Sequence, residues 1–361
     1  MHQFGISIYP DQGDPAQWLA YVEMAARLGV KRVFTCLLSP EGTPESILER
    51  FQPVITRAQR LGMTVIADVA PHVMKRLGIT PQDLSYLNRL GVGGYRLDEG
   101  WNAATEATLT RDGSGLVVEL NGSVDSEVPD LILSAGGDPN RLWVCHNFYP
   151  QRYTGLSWAH FQSCNAHWKR LGLRTAAFMG VNRPDAIGPW PLFEGLVTLE
   201  SHRDWPLERQ ARFFLAYDAV DDLLIANGPH PESVLSEVMH LDPAVVSLRL
   251  DVQPGLSPIE IEILHDFAHQ VRPDQGDYLI RSTMPRIVYA QSSIPPRPAR
   301  PFKAGDVVIL NDAFGRYKGE LQVILRDLPD DGRRNLVGTL NAEEQTLIPA
   351  LVPHRDFRFL R

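Results

Sequence analysis

The sequence predicts an α/β protein, a (β/α)8 barrel followed by a small C-terminal all-β domain. Three observations carry that prediction. Eight apolar strand-like runs alternate with helix-like segments over roughly the first 240 residues. The helical segments between the first three runs each end in Gly just before the next run, as at a helix C-cap. No GxGxxG follows the first run, which argues against an open dinucleotide-binding sheet. A length of 361 residues, at about 150 per domain, also fits two domains.

In chain order the strand-like runs are FGISIYP from Phe4, KRVFTCLL from Lys31, MTVIADVA from Met63 and GGYRLDEG from Gly93. LVVELNGS from Leu116, LWVCHNFYP from Leu142, RTAAFMGV from Arg174 and DDLLIAN from Asp221 complete the eight. PAQWLAYVEMAARLG from Pro15 and PESILERFQPVITRAQRLG from Pro44 have clear helical periodicity. The rhythm breaks from Asn182 to Pro206, a proline-containing stretch after the seventh strand that reads as a loop covering substrate at the barrel mouth. Beyond residue 240, VSLRLDVQ, DYLIRSTM, RIVYAQS, DVVILNDAF and GELQVIL read as short strands with turn signals between them. The expected division is a barrel over residues 1–240 and a β-barrel or sandwich over 241–361.

Composition narrows the function. A hydrophobic content of 44% with 22% charged residues is that of a soluble globular chain. The net charge of −8 argues against a general binder of nucleic acid or anionic membrane, although a local arginine cluster still suits a phosphate. Cys36, Cys145 and Cys164 lack CxxC spacing, so they read as small buried residues rather than disulfides or metal ligands. The N-terminus has no basic-then-apolar leader, and no run of about eighteen apolar residues occurs, so the expected setting is cytoplasmic.

Polar residues at the C-terminal ends of barrel strands converge on one mouth. The candidates are Tyr9, Asp68, Arg96, Asp98, Glu119, Asn121, His146, Asn147 and Tyr149. Asp68 follows the apolar TVIA, and Asp98 follows YRL. A carboxylate there is costly unless it is paired or functional, so the two read either as ion-pair or capping residues or as an acid/base pair. The cluster HNFYP offers imidazole, amide and phenol groups to a hydroxyl-rich ligand. Trp101, Trp158, Trp168 and Trp190 are candidate sugar platforms, the helical ones reading better as core. Glu200, His202 and Arg203 lie on the long loop. Arg183, Arg203, Arg281 and Arg286 are the phosphate candidates, because a guanidinium fork matches phosphate oxygens. No P-loop, HExxH or GxSxG is present, so nothing calls for a metal or cofactor.

With those residues on the page, FGISIYPDQ, VFTCLLSPEG, VIADVAP, LGVGGYRLDEGW, ELNGS, CHNFYPQRYTGLS and PLFEGLVTLESHR resemble the bacterial 6-phospho-N-acetylmuramidases, glycoside hydrolase family 170. LIRSTMPR and KAGDVVILND extend the resemblance into the C-terminal part. The resemblance implies a TIM barrel joined to a cyclophilin-like β-barrel. It implies a cytoplasmic hydrolase of peptidoglycan recycling that cuts a phosphorylated muramyl disaccharide into N-acetylmuramic acid 6-phosphate and N-acetylglucosamine. By matching motifs it makes Asp68 and Asp98 the catalytic candidates, with Glu200 in reserve. It makes Asn121, His146, Asn147 and Tyr149 sugar contacts, together with His202 and Arg203 of the long loop. Two other readings compete: a sugar-phosphate aldolase or isomerase, for which no strand end offers a Schiff-base lysine, and a surface or scaffold protein, against which the missing leader speaks.

Overall fold

The computed structural model describes residues 2–97 and 100–361; Asp98 and Glu99 lie outside the described residues. The chain divides into two compact units, Met1–Phe214 with Asp218–His240, and Leu215–Tyr217 with Leu241–Arg361.

The first unit is a closed barrel in the strand order β1 to β8, every neighbouring pair parallel. The strands are β1 (Gln3–Ile8), β2 (Arg32–Cys36), β3 (Thr64–Val69), β4 (Gly94–Leu97), β5 (Val117–Asn121), β6 (Leu142–Cys145), β7 (Arg174–Met179) and β8 (Asp222–Ile225). Each lies at or within one residue of a run read from the sequence. Helices cover the outside because their apolar stripes need a partner. In α1 (Pro15–Arg27) the buried residues are Trp18, Tyr21, Val22 and Ala25; in α2 (Pro44–Arg60) they are Ile47, Phe51, Val54, Ile55 and Ala58. Both helices start at a proline in the first turn behind a capping side chain, Asp14 or Thr43.

Alternation along each strand sends every second side chain inward. The register places Cys36 beside Asp68, Asp68 beside Arg96, and Arg96 beside Glu119. Two glycines make room in this interior. A methyl group on Gly5 would stand 2.3 Å from Leu224 Cδ2, and one on Gly94 would stand 2.7 Å from Ile66 Cδ1. The interior also carries charge. Arg32 of β2 donates to Asp222 Oδ2 of β8 at 2.7 Å and, through its other terminal nitrogen, to Glu119 of β5. Arg174 of β7 donates to both oxygens of Asp222, at 2.9 and 2.6 Å. Burial pulls the Arg32 pKa down, but Glu119 and Asp222 outweigh it and push it above the ordinary value. Both arginines lie over the Trp143 ring, 5.3 and 5.1 Å from its centroid.

The second unit contains a five-stranded antiparallel sheet and a three-stranded sheet. Labelling continues with β9 (Val245–Arg249), β10 (Asp251–Val252), β11 (His269–Gln270), β12 (Leu279–Ser282), β13 (Asp306–Leu310), β14 (Leu321–Ile324), β15 (Arg334–Thr339) and β16 (Asp356–Leu360). The sheet orders are β10-β15-β13-β14-β12 and β11-β16-β9, and only β16–β9 is parallel among these pairs. Phe302, at the end of the proline-rich stretch, packs with Val308 and Ile324 in the core. The strand expected at RIVYAQS is instead a helical turn, Pro285–Val288. Proline fixes the first dihedral of that turn, and Ile287 and Val288 are each 61% exposed rather than core-facing.

Removing Arg32 leaves Glu119 and Asp222 buried with less compensation. Arg32→Met should lower the unfolding free energy by about 3–5 kcal/mol in denaturant titration, the range for breaking a buried pair from one side. A loss under about 1 kcal/mol would show that the floor network does not hold the barrel.

Candidate active site

The C-terminal ends of β3, β4 and β6 bring three polar side chains together. Arg96 donates to Asp68 Oδ1 at 2.9 Å and, through its other terminal nitrogen, to the Asn147 side-chain oxygen. Asp68 and Arg96 are both buried. They form one edge of a cavity of about 170 Å³ whose other walls are Phe34, Leu38, Phe148, Pro150, Phe178 and Trp190. The rings meet edge to face: Phe34 and Phe178 are 5.0 Å apart at 80°, Phe148 and Phe178 are 5.1 Å apart at 84°. Trp190 comes from the long loop after β7, so that loop does reach the mouth. The phenylalanines escaped the sequence reading because they resemble core. Parity was the available signal: Phe34 shares a strand face with Arg32 and Cys36, and Phe178 shares one with Arg174.

Several expected site residues lie elsewhere. His146 follows the inward-facing Cys145, so alternation turns it toward the helices, where its Nε2 meets Asn165 Oδ1 at 3.0 Å. Burial pushes His146 down to about 4 against that bond, which leaves a neutral packed imidazole. Glu119 faces inward but is consumed by the Arg32 floor network. Tyr9 is fully buried and donates to the Ala226 carbonyl at 2.5 Å. Asn121 lines a separate cavity of about 220 Å³ with Trp101 and Glu106. Burial pushes Glu106 up to about 7, partly opposed by the Trp101 backbone N–H. Tyr149 is fixed through its backbone, which bonds Val197, and its side chain does not line the Asp68 cavity. Asp98 lies outside the described residues.

Glu200, His202 and Arg203 of the long loop are held by contacts within the protein. Arg203 donates to both oxygens of Glu200, at 2.7 and 2.6 Å, and to the carbonyls of Tyr149, Gln151, Glu194 and Gly195. All five of its N–H donors are spent on these acceptors, so none remains for a phosphate. Glu200 also accepts from the backbone N–H groups of Tyr153 and Gly155, at 2.8 Å each. Burial resists ionisation of Glu200, but the Arg203 fork and the two backbone donors outweigh it and hold the carboxyl at about 2, unsuited to giving up a proton near neutrality. His202 is fully buried, stacked on Trp205 at 4.6 Å and edge-on to Phe213 and Phe214 at 4.9 Å each, and it does not line the Asp68 cavity. Arg281 forks onto buried Glu320, and Arg286 lies 3.7 Å from the same carboxylate, so both serve the second unit's own charge balance. Among the described residues, Arg183 bonds the exposed Asp185 alone, through Nε at 3.0 Å. The three cysteines are free and buried.

Residues 4–240 match the family model described as 6-phospho-N-acetylmuramidase, N-terminal, and residues 246–360 match 6-phospho-N-acetylmuramidase, C-terminal. No curated protein matches the chain. Among solved structures, an uncharacterized protein of B. cereus is 37% identical, with a TM-score of 0.91 and 100% of both chains covered. A conserved protein of unknown function from Enterococcus faecalis is 26% identical, with a TM-score of 0.74 and coverage of 99% of this chain and 96% of that one. Among the described residues, no helix is long and apolar enough to cross a membrane.

The Glu200–Arg203 pairing has a definite pH signature. A carboxyl at about 2 in the folded chain, against an ordinary value of 4.5, stabilises the fold above that ordinary value and loses its contribution as pH falls toward 2. The Tm difference between wild type and Glu200→Gln should be largest above about pH 5 and shrink steadily below it. A difference that does not change with pH would remove the ionic role.

Proposed function

The chain belongs to the 6-phospho-N-acetylmuramidase family and is a glycoside hydrolase; from that premise we propose that it cleaves a 6-phosphorylated N-acetylmuramyl disaccharide to N-acetylmuramic acid 6-phosphate and N-acetylglucosamine, in the cytoplasm, as a step of peptidoglycan recycling. The observation that carries the reading is the cavity at the strand ends, where the Asp68–Arg96–Asn147 edge faces a wall of aromatic rings. Its volume of about 170 Å³ is below the roughly 300–1,000 Å³ of sites that hold a whole drug-sized ligand. One sugar ring therefore sits inside, with the second toward solvent.

The hydrolysis needs a proton on the leaving oxygen and a carboxylate facing the positive charge that develops at the anomeric carbon. We assign the anionic role to Asp68, whose carboxylate Arg96 orients, and the proton donor to Asp98 on the resemblance alone. The glycosidic C–O bond breaks, the leaving oxygen takes the acid's proton, and water supplies hydroxide to the anomeric carbon while its remaining proton restores the acid. Asn147 orients Arg96 and is positioned to meet a ring hydroxyl. Of the four candidate arginines, Arg203 and Arg281 fork onto carboxylates and Arg286 lies in the second unit against Glu320, whereas Arg183 belongs to the barrel unit and meets Asp185 through Nε alone among the described residues, so we assign the 6-phosphate to Arg183.

Asp68→Asn should lower turnover at least ~100-fold both on the disaccharide and on an aryl glycoside whose leaving group needs no proton. Asp98→Asn should lose as much on the disaccharide and far less on the aryl glycoside. Near-normal disaccharide turnover in either variant removes that residue from the chemistry, and the reverse pattern exchanges the two roles.

Arg183→Ala should weaken kcat/KM for the phosphorylated substrate roughly 10–150-fold more than for its unphosphorylated analogue, the worth of one or two charge-assisted bonds. Equal losses on the two substrates would show that Arg183 does not read the phosphate.

A further inference from the structure

The cavity is divided chemically. On one side stand the mutually bonded Asp68, Arg96 and Asn147; on the other, Phe34, Phe148, Phe178 and Trp190 present ring faces and edges. The three phenylalanines pack as a continuous edge-to-face cluster, with Phe34 and Phe148 6.1 Å apart at 90°, and Phe148 and Trp190 6.4 Å apart at 58°. Phe34 and Phe178 are almost wholly buried, while Trp190 is 38% exposed and forms the outer edge of the box. The phenylalanine rings can bond no hydroxyl, so a sugar hydroxyl pressed against them would lose its water without replacement. An apolar group entering the box gains instead from dispersion and burial.

We propose that this aromatic box receives the methyl of the 2-acetamido group on the sugar ring whose bond is broken, and so makes N-acetylation a requirement for turnover; the assignment rests on the glycosidase reading of this same cavity. A muramic acid unit offers a second methyl, on its lactyl ether, but that group carries a carboxylate. The cation at this cavity is Arg96, which already serves Asp68 and Asn147, and the box walls are neutral, so an anion pushed into the box would be desolvated without a partner. The acetamido group is uncharged. Its methyl meets the rings while its N–H and C=O remain at the polar edge.

The test compares N-acetyl with N-formyl versions of the phosphorylated disaccharide, which differ by that methyl alone. Wild type should prefer the N-acetyl substrate roughly 10–200-fold in kcat/KM, the usual worth of one such group in a fitted apolar pocket. Trp190→Ala, at a half-exposed position that spares the core, and Phe148→Val, which opens the box further in, should each reduce the preference to within about threefold while both substrates are still hydrolysed. Equal use of the two substrates by wild type, or a full preference surviving in both variants, overturns the proposal. If wild type hydrolyses neither disaccharide, the proposed reaction fails separately. The box is then judged by calorimetric binding of N-acetyl- against N-formylglucosamine 6-phosphate, where tighter N-acetyl binding supports it and equal or absent binding ends it.

Discussion

The barrel is organised around a guanidinium with little access to water. Arg32 reaches from β2 to a carboxylate on β5 and another on β8, and Arg174 of β7 completes the neutralisation of Asp222. Two cations and two anions share this floor, so their formal charges cancel, as a buried cluster requires. The ties run across the interior rather than along one strand. They therefore set how far each strand has slid relative to its neighbours. Phe34 of the cavity wall is two residues beyond Arg32 on the same face of β2, about 6.6 Å along the strand. A shift at the floor would be felt at the mouth.

Above the floor, the wall of the cavity divides by strand. The ends of β3, β4 and β6 supply the bonded group of Asp68, Arg96 and Asn147, while β2, β7 and the segment after β6 supply aromatic rings. Under the proposed reaction, cleavage of the exocyclic glycosidic bond of a ring studded with hydroxyls draws on both kinds of wall. In that proposal the polar groups meet the reacting centre, and the dry wall fixes the ring's rotation without competing for the same hydrogen bonds. Leaving the polar residues bonded to one another before substrate arrives keeps their geometry from collapsing onto the rings.

The barrel was legible in the sequence because its signals are local and repeated: eight apolar runs, glycine stops and helix-starting prolines. The polar edge was legible in the same way, since Asp68, Arg96 and Asn147 stand where inward parity and strand ends coincide. His146 shows why position at a strand end is not enough without parity. One residue of offset from Asn147 turned it into the helix layer. Glu119 passed the parity test, yet its partner, Arg32, is 87 residues away in the chain and no local pattern announces it. Glu200 and Arg203 look like functional residues in the sequence because their partners are largely backbone groups, N–H donors for Glu200 and carbonyl acceptors for Arg203, which sequence composition does not record. In the second unit, β15 is hard to read because only Leu336 and Val337 are apolar in it, β11 and β16 because they are two and five residues long, and the exposed turn at Pro285 reads as a strand because it carries Ile287 and Val288.

The six bonds gathered by Arg203 have a consequence for how the molecule opens. They join the segment after β6 to the segment after β7, whose own backbone also pairs Tyr149 with Val197 and Leu156 with Thr198. Amide protons at those two places are thereby members of one cooperative unit, and they exchange with solvent together or hardly at all. The part of the long loop that carries Trp190 lies outside this knot, with Leu192 and Phe193 exposed beside it. If the proposed reaction holds, entry and exit of a sugar fall to that short arm, with the clamped remainder of the rim as the fixed frame beside it.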